Sequence, residues 1–188
     1  MARIRYWDYG NIITDHKLAQ DISELVNKSF RDANGEFSTY SEEQSEAFLR
    51  SYTPEAILQN PLEPIVSVFA YIPRIIRNKK IIGSGFLAHG NPSKFVRNDS
   101  DAFAYGLYVD PKYQNHGIGR TIVDKYVGHA KKNGIIRIHA FTTKFPGNLE
   151  HHLKWGFRHP EGKREPFEVN VPFSGKLLGF YEVVLDLI

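Results

Sequence analysis

Residues 107–123 read Leu107-Tyr-Val-Asp-Pro-Lys-Tyr-Gln-Asn-His-Gly-Ile-Gly-Arg-Thr-Ile-Val123. A β-rich run from Ala102 to Val109 ends at Asp110-Pro111, because proline brings no amide proton to a ladder. A short polar loop leads to Gly117-x-Gly119. After it, Ile118, Ile122, Val123, Tyr126, Val127 and Ala130 recur on one helical stripe. Strand, glycine turn and helix N-terminus form a site for phosphate. First-turn amides point outward unpaired, the helix dipole favours an anion, and glycine allows close approach.

Two common phosphate-binding loops are set aside by what this one lacks. No Lys-Ser/Thr follows the glycines, as a Walker loop requires. Ile122 stands where a dinucleotide-binding loop places its third glycine. Gln114-Asn115-His116-Gly117-Ile118-Gly119, preceded by Leu-x-Val-Asp-Pro, instead resembles the Q/R-x-x-G-x-G/A signature of the GNAT superfamily of acetyl-CoA-dependent N-acetyltransferases.

Composition fits one soluble domain spanning 1–188. The chain has 188 residues, 41% hydrophobic and 24% charged, with a net charge of +3. No apolar run reaches the ~20 residues of a membrane span. The first residues lack a signal-peptide core, and cysteine is absent. A cytoplasmic location is expected; disulfides, thiolate metal sites and a cysteine nucleophile are excluded. The eight histidines form no H-E-x-x-H pattern, so no metal is expected.

Along the chain, Ile4 to Tyr9 reads as a strand. A helix starts near Thr14 or Asp15 and carries Leu18, Ile22, Leu25, Val26 and Phe30 to a stop at Asn34-Gly35. Ser41-Glu-Glu-Gln44 is a capping box opening a second helix, and Thr53-Pro54 starts a short extra turn. Ile65–Ile72 and Ile81–Ala88 read as a hairpin around Arg77–Lys80, and His89–Ser100 as a loop. Asn133-Gly134 caps the signature helix, Ile135–Thr142 is a fifth strand, and Leu149–Trp155 a short helix closed by Gly156. Two closing strands, about 164–171 and 176–187, meet at a Pro172–Gly175 turn.

This order is the one the resemblance implies: a mixed α/β (α+β), largely antiparallel sheet of about seven strands with about four helices. The sheet would splay between the strands near 102–109 and 135–142. The resemblance places pantetheine and acyl group along Leu107, Tyr108 and Val109. It places pyrophosphate on the amides of Asn115, His116, Gly117, Ile118, Gly119 and Arg120, with Gln114 bracing the loop. Arg120 and Lys154 are candidates for the 3′-phosphate or adenine region.

Many family members carry Asn-x-x-Ala-x-x-x-Tyr-x-x-x-Gly-Phe, whose tyrosine protonates the departing thiolate. Counted back from Gly156-Phe157, the tyrosine position holds His152 and the asparagine position Phe145. Asn148 is a candidate for the lost amide contact. An imidazolium at His152 can donate to a thiolate, with Tyr108 and Tyr181 as reserve donors. For a general base, the strand before the signature offers Phe103 where a carboxylate is common, with Asp101 two residues earlier; Glu42, Glu43 and Glu46 on the second helix and a water relay are the other candidates.

The resemblance therefore implies an acyl-CoA-dependent N-acyltransferase, acetyl-CoA its co-substrate, with direct attack by a primary amine in a ternary complex. The family habit adds a possible homodimer. Glu36, Glu42, Glu43 and Glu46, with Phe37, Tyr40, Phe48 and Tyr52, suggest an acidic, aromatic acceptor side for a small-molecule or peptide amine. Two other readings stay open: a catalytically silent CoA-binding module, and a nucleic-acid binder using Arg74, Arg77, Lys79 and Lys80. No recognition motif accompanies those cations, so neither nucleic acid nor membrane is an expected partner.

Overall fold

A computed structural model describes residues 4–9, 13–59, 64–73, 79–90, 100–170 and 177–187. The Pro172–Gly175 turn, most of the His89–Ser100 loop, Arg74, Arg77 and the side chains of Phe37 and Lys79 lie outside the described residues.

The elements run β1 (Arg5–Tyr9), α1 (His16–Phe37), α2 (Glu42–Arg50), α3 (Pro54–Leu58), β2 (Pro64–Pro73), β3 (Lys79–His89) and β4 (Asp101–Val109). After a 3-10 turn at Pro111–Tyr113 come α4 (Ile118–Lys132), β5 (Arg137–Thr143), α5 (Asn148–Lys154), β6 (Phe167–Asn170) and β7 (Leu177–Asp186). The strands form one sheet in the order β1-β2-β3-β4-β5-β7-β6. All pairings are antiparallel except β4 with β5. This is the mixed α/β fold expected; the extra turn at Pro54 makes a fifth helix.

Local chemistry explains the boundaries. Asp15 caps α1 by accepting from the amides of Lys17 (2.8 Å) and Leu18 (3.1 Å). The helix then runs past Asn34-Gly35, where the sequence had suggested a stop. Asn34 stays helical and spends its side chain on the next turn, its amide donating to Tyr40 O (2.9 Å) and its oxygen accepting from Tyr40 N (2.8 Å). Ser38, at φ 49°, makes the left-handed cap instead. The Ser41–Gln44 box on α2 and the Thr53 cap on α3 form as the sequence indicates.

The sheet separates two apolar cores. Ile22, Val26, Phe30, Phe69, Phe86 and Leu178 pack beneath α1–α3. Val68, Ile82, Leu87, Ile122, Tyr126 and Ile138 pack beneath α4. Each such side chain contributes about 1.5–3 kcal/mol on burial. Gly85 on β3 lets α4 settle: a β-carbon there would lie 1.6 Å from the Tyr126 hydroxyl.

The functional feature is a fork. Strands β4 and β5 pair only over Asp101–Ala104 and Arg137–Ala140, yet β4 runs on to Val109 and β5 to Thr143. The divergence starts at a bulge. Ser84 pairs with Tyr108 and Phe86 with Tyr105, so Gly106 and Leu107 together oppose Gly85. Gly106 has φ +63°, and a β-carbon there would meet the Phe86 ring at 2.6 Å, so the bulge needs glycine twice over. An isolated glycine within a strand pattern is the sequence signal for such a bulge.

Candidate active site

A cleft of about 1030 Å³ passes through the fork from one face of the sheet to the other. On the α4 face its wall is Leu107, Val109, the loop before α4, and His151, His152 and Trp155 of α5 and its cap. On the α1–α3 face it is mainly rings.

The free edge of β4 supplies backbone groups. Asp110 N donates to Ile82 O (2.9 Å) across β3. Since N–H and C=O directions alternate along a strand, the peptide groups of Val109 and Leu107 face the gap. The Val109 carbonyl is held by Ser29 Oγ and by the Gln114 side-chain amide, each at 3.2 Å. Gln114 is therefore a brace between loop and strand.

Asp110 anchors the loop. Nearly buried, it ion-pairs with Lys28, accepts from Lys112 N (3.1 Å) and lies 3.4 Å from Lys80. Burial alone would raise its carboxyl. The Lys28 hydrogen bond, the Lys112 amide and the two ammonium charges outweigh that and hold it below the ordinary value of 3.8. Beyond it, Asn115 (φ 60°) and Gly117 (φ 75°) take left-handed conformations that turn the chain into α4. His116 Nδ1 lies 2.6 Å from Gln114 O.

Gly117 gives α4 no side-chain cap, and the first helical bond runs from Thr121 N to Gly117 O at 3.0 Å. The amides of Ile118, Gly119 and Arg120 thus have no partner within the helix and open onto the cleft. Nothing lies within 4 Å of a β-carbon built on Gly117. Gly119 differs: its β-carbon would sit 3.2 Å from Trp155 of the opposite wall, so it keeps the cleft open there. Arg120 lines the mouth and donates to Asp124 (2.9 Å). Lys154 is exposed and off the wall.

His152 lies on the wall between Trp155 and Phe157, with ring centroids 5.4 Å from each. Its Nδ1 is 2.8 Å from Asn148 O, so Nδ1 carries the proton and Nε2 is left as an acceptor in the neutral ring. Burial pushes the imidazole below its ordinary value; the Asn148 carbonyl pulls it back only partly, and His151 adds to the lowering. The imidazolium expected from sequence is therefore the disfavoured form. The Asn148 side chain is engaged with Thr143 Oγ1 (2.7 Å), and Phe145 is a buried core ring.

Tyr108 and Tyr52 share a hydrogen bond between hydroxyls, their rings edge to face at 5.6 Å. Burial raises both, Tyr52 to about 12 and Tyr108 well above 10.0. Tyr181 is off the cleft wall, edge to face with His159.

The acceptor-side carboxylates fall elsewhere than expected. Glu42, Glu43 and Glu46 are exposed and off the wall, and Glu46 pairs with Arg31 at 2.5 Å. They follow α2's polar face, whereas Phe48, like Tyr52 beyond the helix end, turns inward. Tyr40 is buried, its hydroxyl between Gly179 O (2.8 Å) and Lys144 N (3.0 Å). Asp101 is buried off the wall, 3.5 Å from His139, which is 3.4 Å from Glu182. Glu182 also accepts from Lys163 at 2.7 Å. Among the described residues no group of three potential ligands could hold a metal ion, and no helix is long and apolar enough to cross a membrane.

The same fold recurs in known proteins. The chain is similar to PaiA N-acetyltransferase from Thermoplasma acidophilum, solved with coenzyme A, at 17% identity and TM-score 0.66, over 97% of this chain and 99% of that one. It is similar to a GCN5-related N-acetyltransferase from Rhodopseudomonas palustris at 16% identity and TM-score 0.67, over 99% and 96%. A GNAT-family acetyltransferase from Staphylococcus aureus matches at 19% identity and TM-score 0.62, over 99% and 100%. No curated protein matches the chain significantly. The family model for the acetyltransferase (GNAT) family matches residues 21–157, from α1 through the fork and the α4 loop to Phe157, and the chain belongs to that family.

Proposed function

We propose that this acetyltransferase moves an acetyl group from acetyl-CoA to a primary amine by direct attack in a ternary complex. The observation that carries the reading is the cleft's path through the sheet. It joins unpaired amides at the α4 N-terminus to a ring-lined chamber on the opposite face, with the free β4 edge between them. The fit to acetyl-CoA rests on three features. The amides of Ile118–Arg120 and the space over Gly117 suit a pyrophosphate. The gap-facing peptide groups of Leu107 and the Val109 amide suit an extended amide-bearing arm, as an added strand would. The third is the cavity itself, about 1030 Å³ and open to both faces of the sheet.

Acetyl-CoA supplies the activated thioester; the chain supplies position, polarity and a proton path. The Val109 amide would donate to the carbonyl oxygen as charge develops there. The N–C bond forms, the C–S bond breaks, and the proton lost by nitrogen ends on sulfur. With Nε2 bare, neutral His152 can accept that proton and return it to the thiolate, a shuttle in place of a permanent acid. Tyr108, its hydroxyl held by Tyr52 and its acidity lowered, serves as wall. With no cysteine in the chain, a thioester relay through enzyme sulfur is excluded. Calorimetry with acetyl-CoA, followed by amine-dependent thiol release, tests the reading. Binding without release under any amine would leave a silent CoA-binding module instead.

A further inference from the structure

The chamber on the α1–α3 face is built for a narrower acceptor than "a primary amine". Its wall includes Phe48, Tyr52, Phe103, Tyr105, Phe141 and Phe180. Several of these rings already support one another: Phe103 stacks on Tyr105 (5.6 Å), and Phe141 meets Phe103 edge to face (5.2 Å). Phe103 and Phe141 are only half-buried, so ring surface faces the open space.

Its polar groups are largely committed. Ser29 holds Val109 O, Thr53 caps α3, Thr143 accepts from Asn148, and Tyr52 and Tyr108 bond each other. Ser51 keeps a buried hydroxyl with no partner, enough for one polar substituent and too little for a sugar's set. Among the described wall residues the only carboxylate is Glu55, exposed on α3, and Arg50 on the same wall is exposed too. A second ammonium carried past Glu55 into the ring-lined chamber would therefore lose water without gaining a counter-charge. A flat apolar body would gain ring contacts, and the reacting amine would stay at the β4 edge.

We infer that the acceptor is a monoamine with an aromatic or similarly flat apolar body, seated on Phe103 and Phe141, in place of a polyamine, amino sugar or lysine peptide. This rests on the acetyl-transfer reading above and adds the substrate class. The test uses the full chain with saturating acetyl-CoA and thiol release. 2-Phenylethylamine and tryptamine are compared with spermidine, glucosamine and a lysine tripeptide. The aryl amines should lead in kcat/KM by at least about tenfold. Phe103→Ala should raise the KM for 2-phenylethylamine by about tenfold while acetyl-CoA affinity, read by calorimetry, is unchanged. Phe103→Leu, which keeps the apolar volume, should give a smaller rise and covers the case in which Phe103→Ala fails to fold. Spermidine, glucosamine or peptide turned over as well as the aryl amines would overturn the inference and leave acetyl transfer intact. Acetyl-CoA binding with no amine turned over would overturn both.

Discussion

Gly119→Val probes the cofactor loop where the structure gives a number. A β-carbon at Gly119 would stand 3.2 Å from one atom of the Trp155 ring, 3.6 Å from a second and 3.9 Å from Val109 Cγ2. Two further methyls must enter the cleft or displace Trp155. Overpacking of this kind costs about 1–3 kcal/mol. The same methyls occupy the approach to the amides of Ile118–Arg120, so acetyl-CoA affinity should fall at least about tenfold, or ~1.4 kcal/mol. The two effects separate in a double variant. Trp155→Ala in the Gly119→Val background removes the ring that is struck, so stability in urea should recover while affinity by calorimetry stays low. Gly117→Ala is the contrast: open space surrounds it, and φ +75° makes the cost backbone strain of about 1 kcal/mol. Gly119→Val binding acetyl-CoA within about twofold of wild type would refute the assignment of this loop. Full recovery of affinity in the double variant would assign the loss to Trp155.

Two further outcomes follow from the site. His152→Phe should lower kcat by about 10²-fold with acetyl-CoA affinity unchanged. In the wild type, activity should be present with the ring neutral and fall as pH drops through a value below the ordinary 6.5. The stability tied to that lowered value is complete above 6.5 and lost on acidification; activity lost instead as pH rises from 6 to 8 would mark an imidazolium acid. Asp110→Ala should destabilise the fold by about 2 kcal/mol in urea titrations, because the Lys28 bond and the Lys112 turn are lost together. Its wild-type contribution, from a depressed carboxyl, should be present above 3.8 and disappear as pH falls below it; an unchanged midpoint in urea at neutral pH would contradict the anchor role.

Much of this is legible in the sequence alone. The capping box at Ser41, the Thr53-Pro54 start and the stripe on α4 are local signals, and each formed as read. The signature around Gly117 and Gly119 pointed to the fold because strand, turn and helix are contiguous there. What escaped were facts of tertiary placement. Asn34-Gly35 looks like a stop until Tyr40 is present to engage the Asn34 side chain. Glu42, Glu43 and Glu46 look like an acceptor face until α2's apolar side fixes its rotation. The state of His152 depends on Asn148 one turn earlier and on the burial that Trp155 and Phe157 provide, which residue type alone does not reveal. Gly106 was readable as a bulge, and its consequence, the fork, needed β5 in place.

Initial-rate kinetics over a matrix of acetyl-CoA and 2-phenylethylamine concentrations tests direct transfer through the fork most plainly. The account predicts amine-dependent thiol release, one thiol for each acetylated amine, and intersecting double-reciprocal lines, since both substrates must occupy the cleft together. Parallel lines, the mark of an acyl-enzyme, would contradict it, as would thiol release that ignores the amine.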